Sequence, residues 1–201
     1  APTFGTPEAS QILYGAGQLA RRMNLPFRSG GGLCGSKLPD SQAAYETANT
    51  LNAALLGGVN FMLHSCGWLE GGLIASPEKF IMDCEVIQMI QRYMEPEVVA
   101  TGVDDIAIDA IKEVGPTGHF FGIQHTQDRY EKAFYSPIVS DWRNFEAWEV
   151  AGGVWTAERA HGIFKDIIAN FEEPPMDVAI KEELKAFVDR RKAEGGAPTD
   201  F

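Results

Sequence analysis

At 201 residues, with 45% apolar and 22% charged side chains, the chain holds enough apolar material for a packed core, which excludes wholesale disorder. Its net charge of −11 argues against nucleic acid, whose binding needs a positive surface to displace counterions, and fits a cationic or neutral substrate. Three cysteines at scattered spacing (Cys34, Cys66, Cys84) make no disulfide framework, no apolar run nears the ~20 residues that span a bilayer, and the N-terminus lacks the regions of a signal peptide. A soluble, cytoplasmic protein with no membrane or nucleic-acid partner is expected.

Thr6-Pro7-Glu8 predicts a helix start, with a capping hydroxyl, proline at the first helical position and an acid near the positive end of the dipole. Ile12, Ala16, Leu19, Ala20 and Met23 recur at helical spacing, and Asn24 closes the helix. Residues 25–29 read as a short strand, followed by a glycine-rich loop from Gly30 to Lys37. A second helix carries Ala44, Ala48, Leu51 and Leu55 as its buried stripe and stops at Gly57-Gly58. The apolar run Val59–Leu63 predicts a second buried strand. It leads into a loop of about a dozen residues with His64, Cys66, Trp68 and Glu70, where such loops usually hold ~2–6. Ser76-Pro77-Glu78 opens a third helix to Met94, with Phe80, Cys84, Ile87 and Ile90 expected to face inward.

The order α–β–α–β–α, with strand ends about 35 residues apart, is that of parallel βα repeats. In such architectures the site lies at the carboxyl ends of the strands, where both long loops sit. Beyond residue 100 the pattern turns helical. Helices are expected at 104–114, 127–134, 156–170 and 177–192, with an aromatic, histidine-bearing segment from His119 to Thr126 crossing a surface as an ordered loop. Two strands cannot close an eight-stranded barrel, which takes ~250 residues, so the expectation is the C-terminal part of a larger α/β protein, or one that completes itself by association, with a homo-oligomer expected. Residues 1–100 would be its last βα units and 101–201 a helical extension packed on them.

Specific motifs sharpen this reading. Leu25-Pro26-Phe27-Arg28-Ser29-Gly30-Gly31, Ser36-Lys37-Leu38-Pro39-Asp40 and Gly67-Trp68-Leu69-Glu70-Gly71-Gly72-Leu73 resemble the C-terminal half of the trimethylamine methyltransferase family. Gly118–Gly122 with His125-Thr126, Trp142, Glu146–Glu149 and Glu173-Pro174-Pro175 extend the likeness over nearly the whole chain. The resemblance implies a (β/α)8 TIM barrel, of which these are the last two βα units, followed by a helical tail. It also implies transfer of a methyl group from a methylated amine to the Co(I) corrinoid of a separate partner protein, with no cofactor bound tightly by this chain. The sequence lacks pyrrolysine and resembles the non-pyrrolysine branch, which is associated with quaternary amines such as glycine betaine.

That chemistry asks for a pocket that holds a cation in line with a nucleophile, not for a metal ligand or an acid. Trp68 and Glu70 suit a quaternary ammonium, Arg28 a substrate carboxylate, and His64 a hydrogen bond to substrate or partner. Ser29, Gly30, Lys37 and His125 are the candidates facing the loop mouth or the partner; no catalytic residue is assigned. Each has a plainer alternative. His64 would fix its loop, Trp68 would pack beneath it, Glu70 and Lys37 would be solvated, and Arg28 would pair with Asp40 or Glu70. His119 and His125 would dock the tail. The cysteines lack zinc-site spacing, and Gly30–Gly35 matches neither phosphate-loop pattern. Two further readings stay open: a non-catalytic assembly module that dimerises through exposed barrel edges, and a barrel lyase or aldolase using Lys37 as a Schiff-base amine.

Overall fold

The structure is a computed structural model and describes residues 4–96, 102 and 106–195. Helix α1 (Pro7–Arg22) starts on Pro7 and Glu8, while the Thr6 hydroxyl makes no capping bond to it. Asn24 takes a left-handed φ of 52° and the Leu25 N–H returns to the Ala20 carbonyl at 2.9 Å, which closes the helix. The expected apolar stripe is not what α1 buries. Ile12, Leu19 and Met23 are exposed, and the buried positions are Ser10 and Gly17. Small residues permit the closest approach, so they set the face that meets α2 (Ser41–Leu56).

At that approach a Cβ on Gly17 would overlap the Gly57 carbonyl oxygen, which also accepts from Arg21 Nη1 at 2.5 Å. Gly17→Ala is therefore expected to destabilise by about 1–3 kcal/mol through overpacking, although alanine is the better helix former by ~1 kcal/mol. Urea denaturation of the variant reads the sign directly. A gain in stability would mean the two helices part at little cost.

Asp40 caps α2, accepting from the Ala43 N–H at 3.0 Å and from the Ser36 hydroxyl at 2.9 Å. These two donors hold its carboxyl below the usual aspartate range. The buried face is Ala43, Thr47, Thr50, Leu51, Ala53 and Ala54; of the expected stripe Leu51 is buried, whereas Ala44 is exposed and Ala48 and Leu55 are half-buried. Thr50 satisfies its hydroxyl on the Glu46 carbonyl at 2.9 Å, so a polar residue can face inward.

Strand β1 (Arg28–Gly30) pairs in parallel with β2 (Phe61–Leu63), in the register Arg28 with Phe61 and Gly30 with Leu63. Both are shorter than the expected strands, and Phe61 is 62% exposed, so the pair is not covered throughout. The loop after β2 is itself structured. It holds a small antiparallel ribbon, β3 (Trp68–Leu69) with β4 (Ile74–Ala75), joined by a 3-10 turn at Glu70–Gly72. Two-residue strands carry no alternation to be read from sequence.

Helix α3 (Pro77–Met94) has Ser76 as its cap, accepting from the Lys79 N–H at 3.2 Å. It turns Lys79, Ile81, Asp83 and Glu85 inward rather than the expected Phe80, Cys84, Ile87 and Ile90; Phe80 is half exposed. Ile81 packs with Val139 and Ala160, with Met82, Ile163 and Phe164 around them.

The short helices α4 (Ile108–Val114), α5 (Gln124–Gln127) and α6 (Phe145–Val150) follow, then α7 (Thr156–Ala169) and α8 (Val178–Ala193). Residues 103–105, where the helix at 104–114 was expected to begin, and the chain end from residue 196 lie outside the described residues. The helix expected at 127–134 is absent. That segment forms single turns, and all of its residues are exposed, so no packing sustains a helix there. The expected surface loop at 119–126 is a 3-10 turn at Phe120–Gly122 leading into α5, anchored by buried Ile123. The described residues up to 165 form one compact unit and those from 166 a second, in which Asp177 caps α8 and Lys181 pairs with Glu173 at 2.5 Å.

Candidate functional site

Parallel pairing puts the carboxyl ends of β1 and β2 side by side, with the Gly31 N–H donating to the Leu63 carbonyl at 3.1 Å. The two loops that leave these ends interlock. The Glu70 N–H reaches the Ser36 carbonyl and the Gly71 N–H the Cys34 carbonyl, both at 2.8 Å. The Cys34 thiol donates to the Trp68 carbonyl at 3.4 Å, and burial pushes that thiol up. A Cβ on Gly32, at φ 70°, would collide with the Ser65 carbonyl, so only glycine lets the loops touch here.

Beneath the loops lies a charge pair missing from the sequence-based reading. Lys79 is 1% exposed and Asp83 3%. The Lys79 ammonium bonds Asp83, donates to the Thr47 hydroxyl at 2.8 Å, and reaches the Gly32 carbonyl at 3.5 Å. Asp83 also accepts from the Gly67 N–H at 2.8 Å. One buried pair thus bridges the first loop, α2, α3 and the second loop. Burial pushes the Asp83 carboxyl up against the opposing pull of the Lys79 ammonium and the Gly67 N–H. The signal in the sequence was the i, i+4 spacing of Lys79 and Asp83, a pattern shared by solvated surface pairs. Glu46, which accepts from the Gly35 N–H at 2.5 Å, is a second loop anchor that the sequence reading missed.

Three of the four candidate substrate residues lie on one loop. His64 and Glu70 are non-glycine residues at positive φ (58° and 50°), a strained backbone held by the surrounding bonds. The His64 ring meets the Trp68 ring edge-on at 5.8 Å between centroids. The Glu70 carboxylate has no hydrogen-bond or ion-pair partner among the described residues.

Arg28 differs from expectation. It stands at the first residue of β1, away from the loop mouth, is exposed, and pairs with neither Asp40 nor Glu70. An exposed guanidinium is open to water, so no partner is required. Ser29 and Gly30 help line a cavity of about 390 Å³ between α1 and β1, with Phe4, Leu13 and Phe27. Lys37 is exposed and donates to the Gly35 carbonyl at 2.7 Å. A Schiff-base lysine gains its nucleophilicity from desolvation, which Lys37 lacks. His125 is exposed on α5, where its carbonyl accepts from Arg129 at 3.0 Å, and no bond joins it to the strand-end loops.

The comparison with known proteins agrees with the motifs on these loops. The family model described as trimethylamine methyltransferase (MTTB) matches residues 1–196. The chain belongs to the trimethylamine methyltransferase family. It is 41% identical over 194 residues to a glycine betaine methyltransferase of Desulfitobacterium hafniense, covering 96% of this chain and 40% of that protein. It is 31% identical over 192 residues to a trimethylamine methyltransferase MttB of the same species, covering 96% and 38%. The trimethylamine methyltransferase MttB2 of Methanosarcina mazei is 29% identical over 186 residues, covering 92% and 37%. The chain thus spans about two fifths of the length of these curated relatives. Among the described residues no helix is long and apolar enough to cross a membrane.

Proposed function

We propose that this chain is the C-terminal part of a methyltransferase that demethylates a quaternary amine such as glycine betaine, with the corrinoid of a separate protein as methyl acceptor. The observation that carries the reading is the 41% identity to a glycine betaine methyltransferase, sustained over 96% of this chain. In this proposal β1 and β2 are the last two strands of a (β/α)8 barrel, and the interlocked loops form part of its mouth. Their parallel register and glycine contacts support that placement.

A Co(I) corrinoid carried by the separate protein would supply the nucleophile; the residues of this chain would supply the grip on the substrate. The unpaired Glu70 carboxylate and the Trp68 ring offer negative charge and a π face to a cation, worth ~0.5–2 kcal/mol for the ring. A neutral tertiary amine leaves without a proton, so no general acid is needed from the loops. Holding the cation in line is then the main task of the site.

In the polypeptide that carries this segment, Trp68→Ala and Glu70→Gln should each lower kcat/KM by about tenfold, which corresponds to ~1.4 kcal/mol. The assay follows the spectral change from Co(I) to methyl-Co(III) in a corrinoid protein across a panel of methylated amines. No signal with any betaine or choline-like compound, from a partner shown to accept methyl groups, would overturn the reading. Among the described residues the parallel sheet holds only two strands, with no further strand on its outer edges, which favours a second reading, an assembly module that associates through them. A well-behaved monomer in sedimentation would count against that.

A further inference from the structure

The methyl-transfer reading uses none of the cysteines, yet two of them face each other. Cys66 lies in the loop after β2, between His64 and Trp68, and Cys84 lies on α3. Their sulfurs are 4.0 Å apart, and both residues are half-buried. The juxtaposition is built in by the neighbouring residues: the Gly67 N–H, next to Cys66, is held by the Asp83 carboxylate, next to Cys84, and Asp83 is anchored by buried Lys79. The third cysteine, Cys34, is fully buried and spends its thiol on the Trp68 carbonyl.

We propose that Cys66 and Cys84 are a closable dithiol, a modification site at which a two-electron oxidant of the peroxide class forms a disulfide tying the strand-end loop to α3. Closing the bond takes the sulfurs from 4.0 Å to ~2.05 Å, a movement within reach of side-chain rotation and a small loop shift. Burial, and then the facing Cys84 sulfur, push the Cys66 thiol up to about 12, so Cys66 keeps its proton near neutral pH and acts last.

In the first step the Cys84 sulfur attacks the peroxide O–O bond, becomes a sulfenic acid and releases one water. In the second the Cys66 sulfur attacks the Cys84 sulfur and the S–O bond breaks. The departing hydroxyl leaves with the Cys66 proton as a second water. Two thiols and one peroxide thus become one disulfide and two waters. The inference stands apart from the methyl-transfer reading, because the bond can be detected without any assay of activity.

The test treats this chain with hydrogen peroxide, blocks remaining thiols in denaturant, and maps tryptic peptides by mass. Trypsin cuts at Lys79, between the two cysteines, so a disulfide joins peptide 38–79 to peptide 80–92. The expected result is that this linked pair dominates, that two of the three thiols are lost together, and that dithiothreitol restores them. Cys84→Ser and Cys66→Ser should each abolish the linked pair, whereas Cys34→Ala should leave it. Oxidation of Cys66 and Cys84 to separate sulfinic acids, cross-linking between chains, or a bond to Cys34 would each overturn the proposal. Should one serine variant fail to fold, the other and the unmodified chain still decide it.

Discussion

Lys79→Met should destabilise the chain by about 3–5 kcal/mol, a large share of the ~5–15 kcal/mol that holds a typical domain together. The substitution strands the Asp83 carboxylate in a site 3% exposed and leaves the Thr47 hydroxyl and the Gly32 carbonyl without their ammonium donor. Asp83→Ala should cost a similar amount, because it leaves a buried ammonium and removes the acceptor of the Gly67 N–H. The double variant Lys79→Met/Asp83→Asn should recover at least half of the loss. It removes both charges together, while Asn keeps an oxygen for Gly67. Urea unfolding of the three variants supplies the comparison. Single variants within about 1 kcal/mol of the parent would mean that water reaches the pair, and that it does not hold the loops.

Glu85→Ala should be the second costly change, at about 2–4 kcal/mol. Glu85 is 2% exposed, and its carboxylate accepts from the N–H groups of Val139 and Ser140 and from the Ser140 hydroxyl, with Ser140 N to Oε2 at 3.0 Å. It thereby fixes residues 139–140 against α3, beside the cluster of Ile81, Val139 and Ala160. Alanine would leave the buried Val139 N–H there without its acceptor.

Burial raises the Glu85 carboxyl, but the Ser140 hydroxyl and the N–H groups of Val139 and Ser140 outweigh it and hold the group below the usual glutamate range. The sign follows from linkage. A carboxyl lower in the folded state contributes stability that is fully present above the unfolded value of ~4.3 and is lost as pH falls through the folded value. Unfolding midpoints measured from pH 6 down to pH 3 should therefore drop more steeply for the parent chain than for Glu85→Ala. Parallel profiles would remove Glu85 from the acid response.

The candidate site was legible in part for a specific reason. His64, Trp68 and Glu70 are unusual residues in a glycine-rich loop after an apolar run, and those signals are local. Arg28 was misplaced because the boundaries of a three-residue strand depend on its partner's register. Lys79 and Asp83 escaped notice because their partners lie 16 to 47 residues away, at Gly67, Thr47 and Gly32.

By itself the sequence determined where most of the long helices start and stop. Pro7, Asp40, Ser76-Pro77 and Asp177 act on the first turn of their own helices, and Asn24 and Gly57 act at the ends, so these choices need no distant contact. It also determined the family, through motifs spread along the chain. Only the tertiary structure decided which face each helix turns inward. On α1 that face follows from close approach at Gly17, on α2 from hydroxyls that find carbonyl partners, and on α3 from three charged side chains whose burial is offset by distant donors and acceptors. Apolar periodicity describes a helix that meets a uniform core. Here the neighbouring surface is made of loop carbonyls and amides, and burial follows the hydrogen bonds they offer.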